Sequence, residues 1–578
     1  FTVGNGGRAI VWADKATDFY GSISAKGGSN SGNGGFVEIS GKDTLFFAGK
    51  VDLTAPNGNL GTLLLDPKDI IIVSSSEAPK DGELTDNQIL AGDSPGATFT
   101  ISEAALEALP NDANIILEAT DNITIESLSN GILNLKAITG SIAFKADTDN
   151  DGVGSFSMQP GHTIQTKGGG VSISGASLNI GAITVDSSVP LPQGGNINLI
   201  ATKGGIEIKG QILSRVFVDT AASTGGAINI SANGGNIVST GSIQSRAREF
   251  GSATNAGNAG PISITTTNGD ITVNQVQAFS RVGALATAIP GNGGNITLKA
   301  NNGNITVNTE LLSASLNDAS DTTGDGGEIN LISSGGSMAI NGLLKSSSES
   351  GKAGQIRLES DNEITVNGSI NSTSISGTGG AIALTANNNI TVSELSSYTS
   401  GLGNGGNITL TSKAGTINAT GNVLAGFTTQ GNGGTITFKA FGDITTSNIL
   451  SADTDGAGKG GDIILSSSAG AINIAGAILD ADSASGDGGN ITMQAAGNIN
   501  TGFTHSRTFG SGKSGDITII SSGGNINTTA GSLETKSDNG NGGAIALTAT
   551  SGNITTGLIN STAPGKGGNI TLNAVNTI

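Results

Sequence analysis

Cysteine is missing from all 578 residues, so neither a disulfide nor a thiolate metal site can form in this chain. Histidine occurs only at His162 and His505, too far apart in a repeat protein for a histidine triad or a histidine metal cluster. Aromatic residues make up 3% and there are 11 prolines, so there is little material for a large aromatic core. No apolar run is long enough for a membrane-crossing helix; the best, Leu63 to Ile72, is short and interrupted by Asp66, Pro67 and Asp69. Basic residues are scarce as well: 27 Lys and Arg face 46 Asp and Glu, a net charge of −19. That balance argues against nucleic acid, an anionic membrane surface or membrane insertion.

What is abundant is glycine, 93 residues of it, alongside regularly spaced Ile, Leu and Val and a mean hydropathy near zero. Disordered glycine-rich linkers lack such apolar regularity, so the chain reads as folded. The stretch Gly405-Gly406-Asn407-Ile408-Thr409-Leu410 recurs with small changes at Gly293–Leu298, Gly433–Phe438, Gly488–Met493 and Gly567–Leu572. Each copy is a glycine corner, expected from the ease with which glycine takes φ > 0, followed by apolar and polar residues alternating with the period of a strand.

Taking the first apolar residue after each corner as an anchor gives Ile197, Ile228, Ile262, Ile296, Ile329, Ile356, Ile382, Ile408, Ile436, Ile463, Ile491, Ile517, Ile545 and Ile570, in steps of 25 to 34 residues. A second apolar position follows eight or nine residues later, as at Ile206, Ile390 and Ile499. A third follows in many repeats, as at Ile212, Ile243, Ile370, Leu395, Val423, Ile449 and Ile478. The same ruler reaches back through Val171, Ile142 and Ile115, and through Leu63, Val37 and Ile10. Three short strands per repeat predict an all-β parallel β-helix of about 21 coils, in which equivalent residues of neighbouring coils touch. Corner asparagines such as Asn295, Asn407, Asn490 and Asn569 are expected to hydrogen-bond along the axis. Only the step from Leu63 to Ile115 breaks the beat. Residues 102–109 there read as a short helix with Ser102 as N-cap. The expected organisation is coils over 1–66, a non-solenoid decoration over 67–113, and continuous repeats over 114–578.

The segments Gly6–Trp12, Phe19–Gly28, Gly34–Gly41 and Gly61–Pro67 resemble the filamentous-haemagglutinin-like exoproteins of two-partner secretion, which include high-molecular-weight adhesins and many cyanobacterial surface proteins. The resemblance is specific over residues 1–67; beyond them only the repeat style agrees. It implies a right-handed β-helix, a secreted or outer-surface location, and export through an outer-membrane partner pore recognised by an N-terminal domain that this stretch does not contain. A start at Phe1 and an end inside a repeat fit an excised piece of something longer.

Three groups of residues invite a chemical reading. Asp147, Asp149 and Asp151 precede Gly152 at alternate positions, which lets three carboxylates converge on a hard cation such as Ca²⁺. The twelfth position is Met158, so the loop departs from an EF-hand, and a solvated acidic turn is the competing reading. Asp453-Thr454-Asp455-Gly456 is a weaker version. In the long coils, Arg215, Arg246 and Arg281 fall at nearly one offset, with Arg248, Phe217, Phe250 and Phe279 beside them. They read either as arginines neutralised by Asp219 and Glu249 or as a strip for an anionic glycan or partner filament. Finally, outward Thr297, Thr409, Thr437, Thr492, Thr518 and Thr571 form a row broken by Asn330, Ala383, Ile464 and Ala546, which β-propensity explains better than an ice-ordering surface. Trp12 and Tyr20 are expected to pack.

The function expected is a structural or adhesive segment of a surface exoprotein, without catalysis and without a cofactor other than calcium. It would contact glycans or cell-surface receptors through weak, repeated interactions, and assemble into fibres through unpaired coil edges. The alternative is a polysaccharide-active enzyme, which needs clustered acids and bases on one face. Glu310, Glu328, Glu363 and Glu394 are scattered, and no paired cluster at coil spacing is apparent in the sequence.

Overall fold

The computed structural model describes residues 2–41, 44–47, 50–66, 69–74, 98–108, 114–138, 140–187, 193–218, 223–249, 257–282, 289–318 and 323–578. They form two compact units, Phe1–Val276 and Gln277–Ile578, a division that falls inside the stretch read as continuous repeats. Among the described residues the fold is an all-β solenoid of parallel stacked coils with one helix, about 18 turns, close to the about 21 expected.

In the second unit the ladder is unbroken. Ile296, Ile329, Ile356, Ile382, Ile408, Ile436, Ile463, Ile491, Ile517 and Ile545 pair in register, each with the next. All of them are fully buried. Two residues on, Leu298, Leu331, Leu358, Leu384, Leu410, Phe438, Leu465, Met493, Ile519 and Leu547 form a parallel inner column. Burial of each such side chain contributes roughly 1.5–3 kcal/mol, and stacking is what supplies the apolar surface to bury it against. The first unit repeats the arrangement with Ile115, Ile142, Val171, Ile197, Ile228 and Ile262.

Two details of the coil differ from the expected ones. The glycine corners do not take positive φ at Gly405 and Gly406. Glycine is needed there because coils approach too closely for a side chain: a Cβ on Gly434 would lie 2.1 Å from the carbonyl oxygen of Gly406, and one on Gly406 would lie 2.3 Å from that of Gly380. The corner asparagines hydrogen-bond along the axis, but to backbone. Asn295, Asn407 and Asn490 accept from the amides of Glu328, Thr435 and Asp516 in the following coil, each at 2.9 Å. Inside the corner, buried serines satisfy the polar backbone. Ser506 Oγ donates to the Gly489 carbonyl at 2.6 Å and accepts from the Gly515 amide at 2.8 Å, and Ser346 does the same between Gly327 and Gly354.

The third-strand anchors require a correction. Ile370, Leu395 and Val423 pair in turn, but Val423 continues to Leu450 and Leu479, not to Ile449 and Ile478. Leu450 and Leu479 are wholly buried, whereas Ile449 and Ile478 are 37% and 36% exposed. With a side-chain period of two, a one-residue shift turns a residue from core to surface.

The stretch 67–113 is also only partly a decoration. Asp69–Val73 is a coil strand: Ile70 pairs with Ile123 on one side and with Phe99 of Thr98–Ser102 on the other. The helix Glu103–Glu107 starts where expected, with Ser102 Oγ accepting from the Ala105 amide at 3.2 Å. Its acids close an open strand edge, Glu103 accepting from the Ser129 amide at 3.0 Å and Glu107 from the Asn134 amide at 2.7 Å.

Candidate functional site

The structure brings Asp147, Asp149 and Asp151 together: one carboxylate oxygen from each lies within 4.8 Å of the others. Asp147 is buried in a left-handed turn (φ 54°), and both its oxygens are engaged, one by the Gly152 amide at 2.9 Å and one by the Thr202 hydroxyl at 3.1 Å. Asp149 and Asp151 are exposed. Each also accepts from a loop amide, Asp149 from Asp151 at 3.5 Å and Asp151 from Val153 at 2.8 Å, so a hard cation would meet two exposed carboxylates and one buried one, all three already oriented by the loop.

The arginine strip is assembled differently from the expectation. In the first unit Asp186, Arg215 and Arg246 form one column in register across three coils. Arg215 is held by Asp186, its Nε donating at 2.9 Å and its terminal nitrogen in close contact with the second oxygen, while Arg246 donates to Gln244. Among the described residues Asp186 supplies a neutralising charge to Arg215. Asp219 and the Glu249 side chain lie outside the described structure, as does Phe250, and only the backbone of Phe217 is described; it pairs with Arg248. In the second unit Arg281 is paired with Asp318 at 2.8 Å. Phe279 is buried and so offers no ring to a ligand. Trp12 and Tyr20, expected to pack, are mostly exposed.

The richest chemistry lies elsewhere, on the outer side of the third-strand face of the second unit. Along one coil, Phe503, His505, Arg507 and Phe509 alternate with inward, buried Thr504, Ser506 and Thr508, so the four point outward together. Asp480 sits directly opposite His505, with Ser451 on its other side, and Glu534 opposite His505 in the next coil. Two residues further on, the bridges Thr454 to Ser483 and Ser483 to Thr508 place Asp453, Asp482 and Arg507 in a second column. The steps from Asp453 to Asp480, Asp482 to Arg507 and Arg507 to Glu534 are 27, 25 and 27 residues, each one coil. This is a cluster at coil spacing, contrary to the expectation that none exists. It escapes notice because its members are of different types, and a search for like residues at one period passes over Asp, Arg and Glu in succession. Asp453 was singled out by the sequence, for a calcium turn; it belongs instead with these acids.

The electrostatics separate the members of the cluster. Asp482 is nearly buried and accepts from the Arg507 backbone amide at 2.6 Å and from its Nε at 2.8 Å. Burial works against the Arg507 charge, but the Asp482 hydrogen bond and the surrounding acids outweigh it and raise its pKa further. Burial first, and then the Asp482 and Asp453 charges, push Asp480 up to about 8. Burial and the neighbouring Asp455 raise Asp453 also. His505 is lowered, by burial and then by Arg507, and no described residue hydrogen-bonds its ring. At neutral pH the face thus holds a protonated carboxyl, a neutral imidazole and an ion pair side by side. The column beside Asp480 is apolar and outward: Ile449, Ile478 and Phe503.

Compared with family models and with curated proteins, the chain matches none.

Proposed function

We propose that the chain is a structural and adhesive segment of a secreted cell-surface exoprotein, exported through an outer-membrane pore of the two-partner type. The observation that supports this reading most is the ladder from Ile296 to Ile545. It gives every coil the same inner contacts and leaves the outer side chains, Thr, Asn and Ser for the most part, free to vary without disturbing the core. Such a scaffold holds many weak contact sites at fixed spacing, so that they add by effective concentration. Self-association into fibres belongs to the same reading, as does calcium at Asp147, Asp149 and Asp151, where a cation would pin the loop. Labelling of intact cells of the source with an antibody against the chain, and attachment of cells with and without it, tests the proposal. Labelling only after lysis, or attachment indifferent to its loss, overturns it.

A second reading, action on a polysaccharide, is favoured by the Asp453, Asp480 and Asp482 group with His505 and Arg507. A carboxyl whose pKa is raised to about 8 beside a second carboxyl and an imidazole is the kind of arrangement acid–base chemistry uses. Release of reducing ends from neutral and acidic polysaccharides would decide for it.

A further inference from the structure

We infer that the outer face formed by Asp480, Asp482, His505 and Arg507 between Phe503 and Phe509 is a binding site for an uncharged polysaccharide. The inference rests on the adhesive reading for its biological sense and names the ligand class and the place.

Three features of the face select that ligand. Phe503 and Phe509 are 47% and 50% exposed, and lie at the two ends of one extended run. Phe503 lies in the strand Ile499–His505 and Phe509 just past the Thr508 bridge, so the six-residue step spans up to roughly 20 Å, the length of a short oligosaccharide. Phenyl rings left in water on an ordinary surface bury nothing. The apolar faces of sugar rings would cover them, as they would the adjoining Ile449 and Ile478. Phe503 stands 6.0 Å from the His505 ring, and the Arg507 guanidinium 5.6 Å from the Phe509 ring, so each aromatic platform adjoins a hydrogen-bonding group.

Between the platforms the groups suit hydroxyls, which both donate and accept. The His505 ring nitrogens make no hydrogen bond to the described residues, and the Asp480 carboxyl, its pKa raised to about 8 by burial and then by Asp482, can donate as well as accept below that pH. Arg507 is already neutralised by Asp482, at 2.7 Å, and has Glu534 at 3.8 Å. It therefore has little attraction left for a sulfate or uronate. Lys536, in the next coil, is paired with Asp538 at 2.7 Å. The chain as a whole, at −19, repels polyanions. A neutral glycan is the occupant that these charges do not oppose.

The test uses the whole chain in affinity electrophoresis, through gels containing galactomannan, xyloglucan or mixed-linkage β-glucan, with alginate and dextran sulfate as polyanionic probes. Retardation by at least one neutral probe is expected, with Phe503→Ala/Phe509→Ala weakening it tenfold or more. Phe441→Ala, an exposed ring in a turn after a first strand, is expected to leave it unchanged. Both aromatic positions are at the surface, so the double variant should retain its circular dichroism and melting temperature; Phe503→Leu and Phe509→Leu, which keep most of the apolar area, guard against an indirect loss. Asp480 is faced by Asp453, Asp482, His505, Arg507 and Glu534. Raising the pH above about 8 ionises it, removes its donor and should weaken binding, while Asp480→Asn retains a donor and should bind on both sides of that pH. No retardation by any neutral probe, retardation by polyanions alone, or equal retardation of the double variant overturns the inference. If cells attach through the protein while neutral glycans do not bind, the adhesive reading stands and this one falls. If neutral glycans bind this face while attachment is indifferent to the protein, the reverse holds.

Discussion

Asp482 receives Arg507 of the next coil through three nitrogens: the backbone amide at 2.6 Å, Nε at 2.8 Å and a terminal guanidinium nitrogen at 2.7 Å. Asp482 is 5% exposed, so removing its partner strands a charge with almost no access to water. Arg507→Gln is expected to destabilise the second unit by about 3 kcal/mol, and Asp482→Asn in the same chain to recover part of the loss. A double-mutant cycle on thermal or urea unfolding measures the coupling. Additive single effects would show that the pair is held by its neighbours and not by its own attraction.

Gly434 is fixed by the coil beneath it. A Cβ there would lie 2.1 Å from the Gly406 carbonyl oxygen, a backbone atom that cannot move without moving its own coil. Gly434→Ala is expected to cost about 1–3 kcal/mol and to open the neighbouring coils to protease. Gly7→Ala, where the added atom meets nothing within 4 Å, should be close to neutral. Limited proteolysis of the two variants distinguishes close approach from a general intolerance of alanine.

Leu450 and Ile449 separate the observed register from the one read off the repeat. Leu450 is wholly inside and pairs with Val423 and Leu479. Leu450→Ala is expected to cost about 2–5 kcal/mol, and Ile449→Ala under about 1 kcal/mol. The reverse order in melting temperature would place Ile449 in the core and overturn the register.

Why the first strand was legible and the third was not follows from the residues themselves. The inner column from Ile296 to Ile545 is all isoleucine, and each anchor stands two residues after a glycine, in most coils the second of a pair, so phase and corner coincide. In the third strand both Ile449 and Leu450, and both Ile478 and Leu479, are apolar, and period two alone cannot choose between neighbours. The serines that satisfy the corners, such as Ser346 and Ser506, look like ordinary turn residues until the opposing glycine carbonyls are in place. The outer cluster was hidden for a related reason. His505 and Asp480 are 25 residues apart and unlike in type, and only the pairing of their strands makes them neighbours. Of the arginine strip, the shared offset of Arg215 and Arg246 was readable, but the contribution of Asp186 was not, because Asp186 lies 29 residues before Arg215 and only the pairing of their strands makes them neighbours.

Asp480 links stability to pH. In the unfolded chain it titrates near 3.8, and in the folded chain near 8, raised by burial and then by Asp482 and Asp453. Below about pH 4 both states hold the proton and the group is indifferent to folding. Between about 4 and 8 the unfolded chain has released it and the folded chain has not, so stability falls as pH rises, and above about 8 the loss is complete. Asp480→Asn cannot titrate and preserves the shape of the neutral acid. It is therefore expected to match the parent protein near pH 4 and to exceed it at pH 9 by on the order of a few kcal/mol, seen as a melting temperature that declines less steeply with pH. Arg507, which favours the ionised form of Asp480, limits the gain, and Arg507→Gln should steepen the parent's decline. Parallel pH profiles for the parent and Asp480→Asn would show that the carboxyl ionises in the folded chain at an ordinary pH, and that the face stays anionic where it is here held neutral.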